Sequence, residues 1–359
     1  MSEKIFLLKP NYLDEFKCDG SRCNALCCRS DWNIFVDAAT YEKYSALPDA
    51  EKILQHLRRD SEKFCIVPEK NCCPFLGEDK LCRLQKAHGE DYLSQVCASY
   101  PRLITRFENF LEVAMSPTCP VAAELIFSRE QLSFEIVEAS EKFLRLGESH
   151  ILKCIPHDFA PLIFDVQLAM ASILQTRRLT IDQRLIVLGF FLDRIEELIQ
   201  SGGLNGLSLQ RLSTIYASEK FLAEDVPLIL SSVRFNAAAH EKFIREVFAD
   251  LEINFIDIGD ARLPAEFELP AENFLVNEIF LNAYPLRVDA SIVQNFGVFA
   301  AAYKVFERLA ISSGIMAAAD KLSHKINHSD DCLPKISARL EGVDLFNVIE
   351  LLINSSSKP

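Results

Sequence analysis

Two hydrophobic patterns divide the chain. Beyond residue 120, apolar positions recur every three or four residues. Leu185, Leu188, Leu192, Ile195 and Ile199 form one stripe, closed by Gly202-Gly203. That spacing lays one apolar face along a helix. Phe243, Val247 and Leu251 form a second stripe, and Phe274–Leu281, Val293–Leu309 and Ile336–Ile353 read the same way. Pro264 and Pro270 are expected to bracket a short linker. The first 120 residues lack such periodicity. Ala38–Ala46 and Ala50–Lys63 read as helices, the second with Ile53, Leu54 and Leu57 on one face. Leu103–Phe107 and Phe110–Met115 flank Glu108-Asn109 as a hairpin. The stretch from Cys72 to Cys82 is rich in turn residues. The expected fold is mainly α. An irregular cysteine-rich metal-binding N-terminal module with little β spans residues 1–125, and an acidic, mainly helical domain spans 126–359.

Composition sharpens this division. Apolar residues make up 49% of the 359 and charged residues 25%, enough for a real core. The net charge of −13 argues against nucleic acid as a partner. The charge is uneven. Residues 1–120 hold 16 Lys+Arg against 18 Asp+Glu, and the remainder holds 22 against 33. Near the start only Ile5-Phe6-Leu7-Leu8 is an apolar run, too short for a secretory signal. The longest uncharged stretch, Ala290–Tyr303, has 14 residues, where a membrane span needs about 20. The expectation is a cytoplasmic protein with no membrane span.

Cysteine is the unusual residue. Ten of the twelve fall before residue 121: Cys18, Cys23, Cys27, Cys28, Cys65, Cys72, Cys73, Cys82, Cys97 and Cys119. In a cytosolic protein such clustering points to metal ligation rather than disulfides. Soft thiolates select zinc, copper(I) or iron–sulfur clusters. Zinc sites usually show paired C-x2-C knuckles, and the chain has none. It has two vicinal pairs, Cys27-Cys28 and Cys72-Cys73, whose side chains diverge. A multi-iron cluster tolerates that divergence better than one ion does. Iron–sulfur, structural zinc and buried free thiols all remain readings of the spacing. Cys154 and Cys332 stand apart and read as packing or surface thiols, and Cys65 fits plain core.

The sequence resembles the FliB family, the flagellin lysine N-methylases, within the wider set of CxxxCC cysteine-cluster proteins. The matching residues are Pro10-x-Tyr12, Phe16-x-Cys18, Cys23-x3-Cys27-Cys28, Trp32-x-Ile34, Cys73-Pro74-Phe75-Leu76, Leu81-Cys82, Cys97-x2-Tyr100-Pro101-Arg102 and Ser116-x2-Cys119-Pro120. A further block, Glu272-Asn273-Phe274-Leu275-Val276-Asn277-x2-Phe280 with Tyr284-Pro285, lies downstream. The resemblance implies transfer of a methyl group from S-adenosylmethionine to a protein lysine, with a 4Fe-4S cluster. It implies a protein partner bearing surface lysines, with flagellin as the candidate. Its metal ligands would be Cys18, Cys23, Cys27, Cys28, Cys73, Cys82, Cys97 and Cys119. None of the 12 glycines is followed by another two positions later, so the Gly-x-Gly turn of many methyltransferases is missing. The radical-type C-x3-C-x2-C loop is also absent, which leaves polar and radical transfer both open. The alternative is a non-enzymatic module in which zinc or an iron–sulfur cluster staples an interaction domain.

Other candidates follow from side-chain chemistry. Arg102 offers a guanidinium fork to a carboxylate, though it reads equally as a structural closure of the metal module. Asn273 and Asn277 lie four apart, on one helical face, and are the candidates for holding cofactor. Their plainer reading is helix-end capping and solvent exposure. His324, His328 and Cys332 share a spacing that one helix would aim at a metal, although the surrounding residues look solvated. No residue declares itself as the catalytic base.

Overall fold

The structure, a computed structural model, describes residues 4–352 except 19, 21, 30–33, 61, 62, 108, 141, 142, 144, 145, 147–149, 152–158, 219, 260, 328 and 330. Cys154 and His328 therefore lie outside the described residues. The chain forms two compact units. The first comprises Met1–Leu125 and Ile136–His150, the second Ile126–Glu135 and Ile151–Pro359.

The first unit carries more sheet than its sequence suggests. Its strands are β1 (Phe6–Pro10), β2 (Ile34–Val36), β3 (Leu57–Asp60), β4 (Lys63–Ile66), β5 (Arg102–Phe107) and β6 (Phe110–Met115). The short strands β7 (Phe134–Glu138) and β8 (His150–Ile151) complete the order β7-β1-β6-β5-β8. β5 and β6 form the expected hairpin, paired from Arg102↔Met115 to Phe107↔Phe110. β1 runs parallel to β6. The expected helix over Ala50–Lys63 stops at Leu54. From Leu57 the chain instead pairs with β4, and β4 pairs with β2. Phe64, Cys65 and Ile66 suit a pleated surface, and tertiary pairing overrides the helical spacing of Ile53, Leu54 and Leu57. Val36, Tyr44, Ile53, Ile66, Phe75 and Leu84 form a core against which Cys73 and Cys82 pack.

Two loops of this unit touch through backbone. Gly20 has no room for a side chain, because a Cβ there would lie 2.1 Å from the Lys80 carbonyl oxygen. The Cys73 amide donates to the Cys28 carbonyl at 2.7 Å. The turn from Gly77 to Leu81 is closed by Gly77 N to Leu81 O at 2.9 Å, and Lys80 adopts a positive φ of 63°.

The second unit is helical, as expected. Its helices start where the sequence offers caps. Thr180 with Gln183 opens Ile181–Gln200, and Ser291 with Gln294 opens Ile292–Ser313. Helix Ile292–Ser313 packs on Ile181–Gln200, Ala237–Asp250, Ile315–Asn327, Cys332–Arg339 and Leu345–Leu352. Three expectations change here. Pro264 and Pro270 do not bracket a linker: Pro264 caps a helix, Ala265–Leu281, that continues through Pro270. Burial of every residue from Ala271 to Leu281 outweighs the one backbone bond a proline removes. The expected helix over Ile336–Ile353 is broken at Gly342, whose φ is 70°. His324 and Cys332 belong to different helices, so their spacing does not place them on one face.

Charged fasteners sit inside this unit. Glu272, with a side chain 1% exposed, accepts from Arg184 Nη1 at 2.8 Å and Arg177 Nη2 at 2.9 Å. Arg184 also donates to the Leu174 and Leu179 carbonyls. Lys304 Nζ, buried, contacts Asp182 Oδ1 at 2.5 Å and Glu307 Oε2 at 3.0 Å. Breaking a buried pair leaves an uncompensated charge. Glu272→Ala should therefore lower stability by about 3–5 kcal/mol, read by denaturant unfolding, and a loss under 1 kcal/mol would show that solvent reaches Arg184. In the first unit, Gly20→Ala should lower stability by roughly 1–3 kcal/mol through the clash with Lys80. A variant as stable as the parent would show that the loop has another resting place.

Candidate metal centre

Three segments deliver thiols to one region of the first unit. The loop after Gly20 turns through Asn24 and Ala25, both at positive φ, into a short 3-10 turn, Leu26–Cys28. The amide-to-carbonyl bond from Cys73 to Cys28 sets the second segment beside it. Cys82 follows across a bridge between Leu76 and Cys82 and precedes the helix Arg83–His88. The third segment is the helix Gln95–Ser99, opened by Ser94, whose hydroxyl accepts from the Cys97 amide at 3.4 Å.

The electrostatics show which thiols are neighbours. The Cys28 thiol donates to Cys27, and this bond, against the opposing effect of burial, lowers Cys27 to about 7. Cys28 is pushed upward by the same bond, by burial, and by the neighbouring charges of Cys27, Cys73 and Cys97. Burial raises Cys73 to about 11, helped by Cys82, Cys72 and Cys27. Burial raises Cys97 to about 12, with Cys73, Cys82 and Cys27 adding to it. Cys119 is also raised by burial, and its thiol neighbours are Cys23 and Cys27. Tyr44, raised by burial, feels Cys97, Cys82 and Cys73 from the core side. Its hydroxyl donates to the Tyr92 carbonyl at 2.8 Å. Cys27, Cys28, Cys73, Cys82 and Cys97 thus form one mutually repelling group, with Cys23 and Cys119 on its flank.

The donor set constrains what it can hold. A single zinc ion needs four ligands converging at about 2.3 Å for sulfur. Among the described residues, no three Cys, His, Asp or Glu side chains converge to hold one ion. The thiols therefore share a region without sharing a point. Cys65 is buried in β4 and Cys332 is buried in the other unit, its thiol donating to Ser329 Oγ at 3.1 Å.

A cleft of about 680 Å³ adjoins this group, lined by Asp37, Thr40, Lys43, Glu90, Asp91 and Gln95 among others. That size is typical of small-molecule sites. Its wall includes the helix that carries Cys97. Asp37 caps Ala38–Ser45 and accepts from the amides of Thr40 at 2.9 Å and Gln95 at 3.2 Å. Burial pushes its carboxyl up, but the Thr40 and Gln95 bonds outweigh this and hold it below the usual range. Lys43 donates to the Asp91 carbonyl at 2.7 Å. Asp37 lies far from the adjacent Glu90 and Asp91 in sequence, and only the fold brings them together.

The remaining candidates have defined places. The Arg102 guanidinium lies 5.0 Å from the Phe16 ring centre, and burial lowers its pKa against the opposing pull of Glu90 and Cys18. Asn273, 0% exposed, donates to the Ile126 carbonyl at 3.1 Å and the Arg129 carbonyl at 2.7 Å, so its two donors fasten residues 126–135 to the helix. Asn277 is buried on the same helix. Both belong to the second unit, whereas Arg102 and the thiol group belong to the first.

Comparison with known proteins gives these features a context. The profile of the FliB lysine N-methylase C-terminal domain matches residues 167–268. A 140-residue stretch is 31% identical to the flagellar biosynthetic protein FliU of Salmonella muenchen, covering 35% of this chain and 79% of that protein. The lysine-N-methylases of Salmonella typhimurium and Salmonella choleraesuis match with the same identity over 35% of this chain. The match spans 33% of each lysine-N-methylase, about a third of its length. No solved structure matches the chain. On the FliU match and the C-terminal profile, the chain belongs to the FliB lysine N-methylase family.

Proposed function

We propose that this chain is a cytoplasmic enzyme that transfers methyl groups from S-adenosylmethionine to lysine side chains of a protein, with flagellin as the candidate substrate. Family membership supports the reaction class. The observation that carries the site is the thiol group of Cys27, Cys28, Cys73, Cys82 and Cys97 beside a cleft lined by Asp37, Glu90 and Asp91. In this reading three of those thiolates would hold a 4Fe-4S cluster, leaving its fourth iron open, with the other thiols and Cys23 and Cys119 around it. When bound, S-adenosylmethionine supplies the methyl carbon and the cluster supplies an iron for the cofactor's amino-acid end.

The chain's own residues have three tasks. The carboxylates of Asp37, Glu90 and Asp91 draw a cationic side chain into the cleft. The cleft must then favour loss of a proton, because an ordinary lysine pKa is about 10.4 and only the neutral amine is nucleophilic. Arg102, beside Cys18, presents a guanidinium suited to a carboxylate.

The test is methyl transfer itself. Protein reconstituted anaerobically with iron and sulfide is given methyl-labelled S-adenosylmethionine and purified flagellin, and products are mapped by mass spectrometry. Lysines on flagellin should gain methyl groups. Asp91→Asn should lower kcat/KM by roughly 5- to 10-fold, mainly through KM. Cluster-loaded protein that methylates no lysine on flagellin or on other lysine-rich proteins would contradict the proposal.

A further inference from the structure

The second unit contains a small internal cavity that the proposed reaction does not use. Four aromatic rings, Phe274, Tyr284, Phe299 and Tyr303, surround it together with Glu278. It has room for about one water-sized particle. Glu278 is 4% exposed and Tyr303 is 1% exposed. Glu278 Oε2 accepts from Asn282 Nδ2 at 2.7 Å. Glu278 Oε1 and the Tyr303 hydroxyl have no hydrogen-bond partner. Two buried polar atoms without partners on one cavity mark a missing ligand.

We propose that this cavity binds one unhydrated monovalent cation the size of a water molecule, ammonium or potassium. The ligands are Glu278 Oε1 and the Tyr303 hydroxyl oxygen, with the aromatic faces completing the cage. A water bridging the two atoms would leave the carboxylate charge uncompensated. Aromatic faces carry negative potential and attract cations when water is excluded. Tyr284 and Phe299 meet edge to face with centres 5.0 Å apart, which fixes two of the rings.

The surrounding charges favour the same occupant. Burial raises the Glu278 carboxyl to about 7, against a hydrogen bond from Asn282 and the through-space pull of Arg287. Arg287 thus attracts the carboxylate, but burial outweighs that attraction. Tyr284 and Tyr303 are held protonated by burial, and Lys304, next to Tyr303, is engaged by Asp182 and Glu307. A carboxyl whose pKa is raised on folding stabilises the fold below its unfolded value of about 4.3 and loses that contribution as pH rises through 7. A cation that binds only the ionised form offsets the loss above 7.

Thermal unfolding at pH 8 in chloride salts of equal ionic strength tests this. Potassium or ammonium should raise Tm by about 2–4 °C over lithium and tetramethylammonium, and the rise should vanish at pH 5.5. Potassium and ammonium measured separately identify the physiological ion. In Glu278→Gln the ion-specific rise should disappear, and in Tyr303→Phe it should shrink, which covers the case in which Glu278→Gln does not fold. A Tm indifferent to the cation in the parent protein would mean a buried water only and overturn the proposal. An equal rise in Glu278→Gln would also overturn it, by locating the ion elsewhere.

Discussion

The carbonyl oxygen of Lys80 occupies the space that any side chain at residue 20 would need. That single close approach decides the architecture of the first unit. It lets the loop of Cys23, Cys27 and Cys28 lie on the turn that leads to Cys82. The backbone bond from Cys73 to Cys28 then fixes their order. With it, five thiols share a region in which ionising one disfavours ionising the next. Near neutral pH this keeps Cys28, Cys73 and Cys97 as neutral thiols.

The two units solve the problem of buried polarity differently. The first leaves its soft ligands half-exposed around a modest core. The second is strongly apolar and hides its charges in closed pairs, Glu272 with Arg184 and Arg177, and Lys304 with Asp182 and Glu307. The family profile covers residues 167–268, which carry both arginines of the first set and stop four residues before their glutamate. Glu278 differs, with Arg287 attracting it through space and one carboxylate oxygen left without a hydrogen bond. Its orphaned carboxylate oxygen shares a cavity with the Tyr303 hydroxyl, which also has no partner.

Much of this was legible from residue order alone. The helical stripes from Leu185 to Ile199 and along Val293–Leu309 became helices because each carried its own cap and apolar face. The β5–β6 hairpin followed from alternating apolar residues around a turn. Local pattern failed where distant partners decided the outcome. Leu57 continued a helical stripe, yet β4 offered it a strand to pair with. Pro270 read as a breaker, yet the burial of Ala271–Leu281 carried the helix through it. The cysteines were conspicuous as ligand types, but their grouping depended on Gly20, whose role is invisible without Lys80 beside it. Asn273 and Asn277 shared a face as read, although burial rather than exposure is what that face experiences. The cleft left no trace in sequence, because no spacing relates Asp37 to the distant Glu90-Asp91 pair.

The central claim is that these loops build one thiol site for a multi-iron cluster. Iron, acid-labile sulfide and zinc analysis of protein purified without oxygen addresses it most directly. The account predicts iron and sulfide in similar amounts with little zinc. Stoichiometric zinc with no sulfide would contradict it.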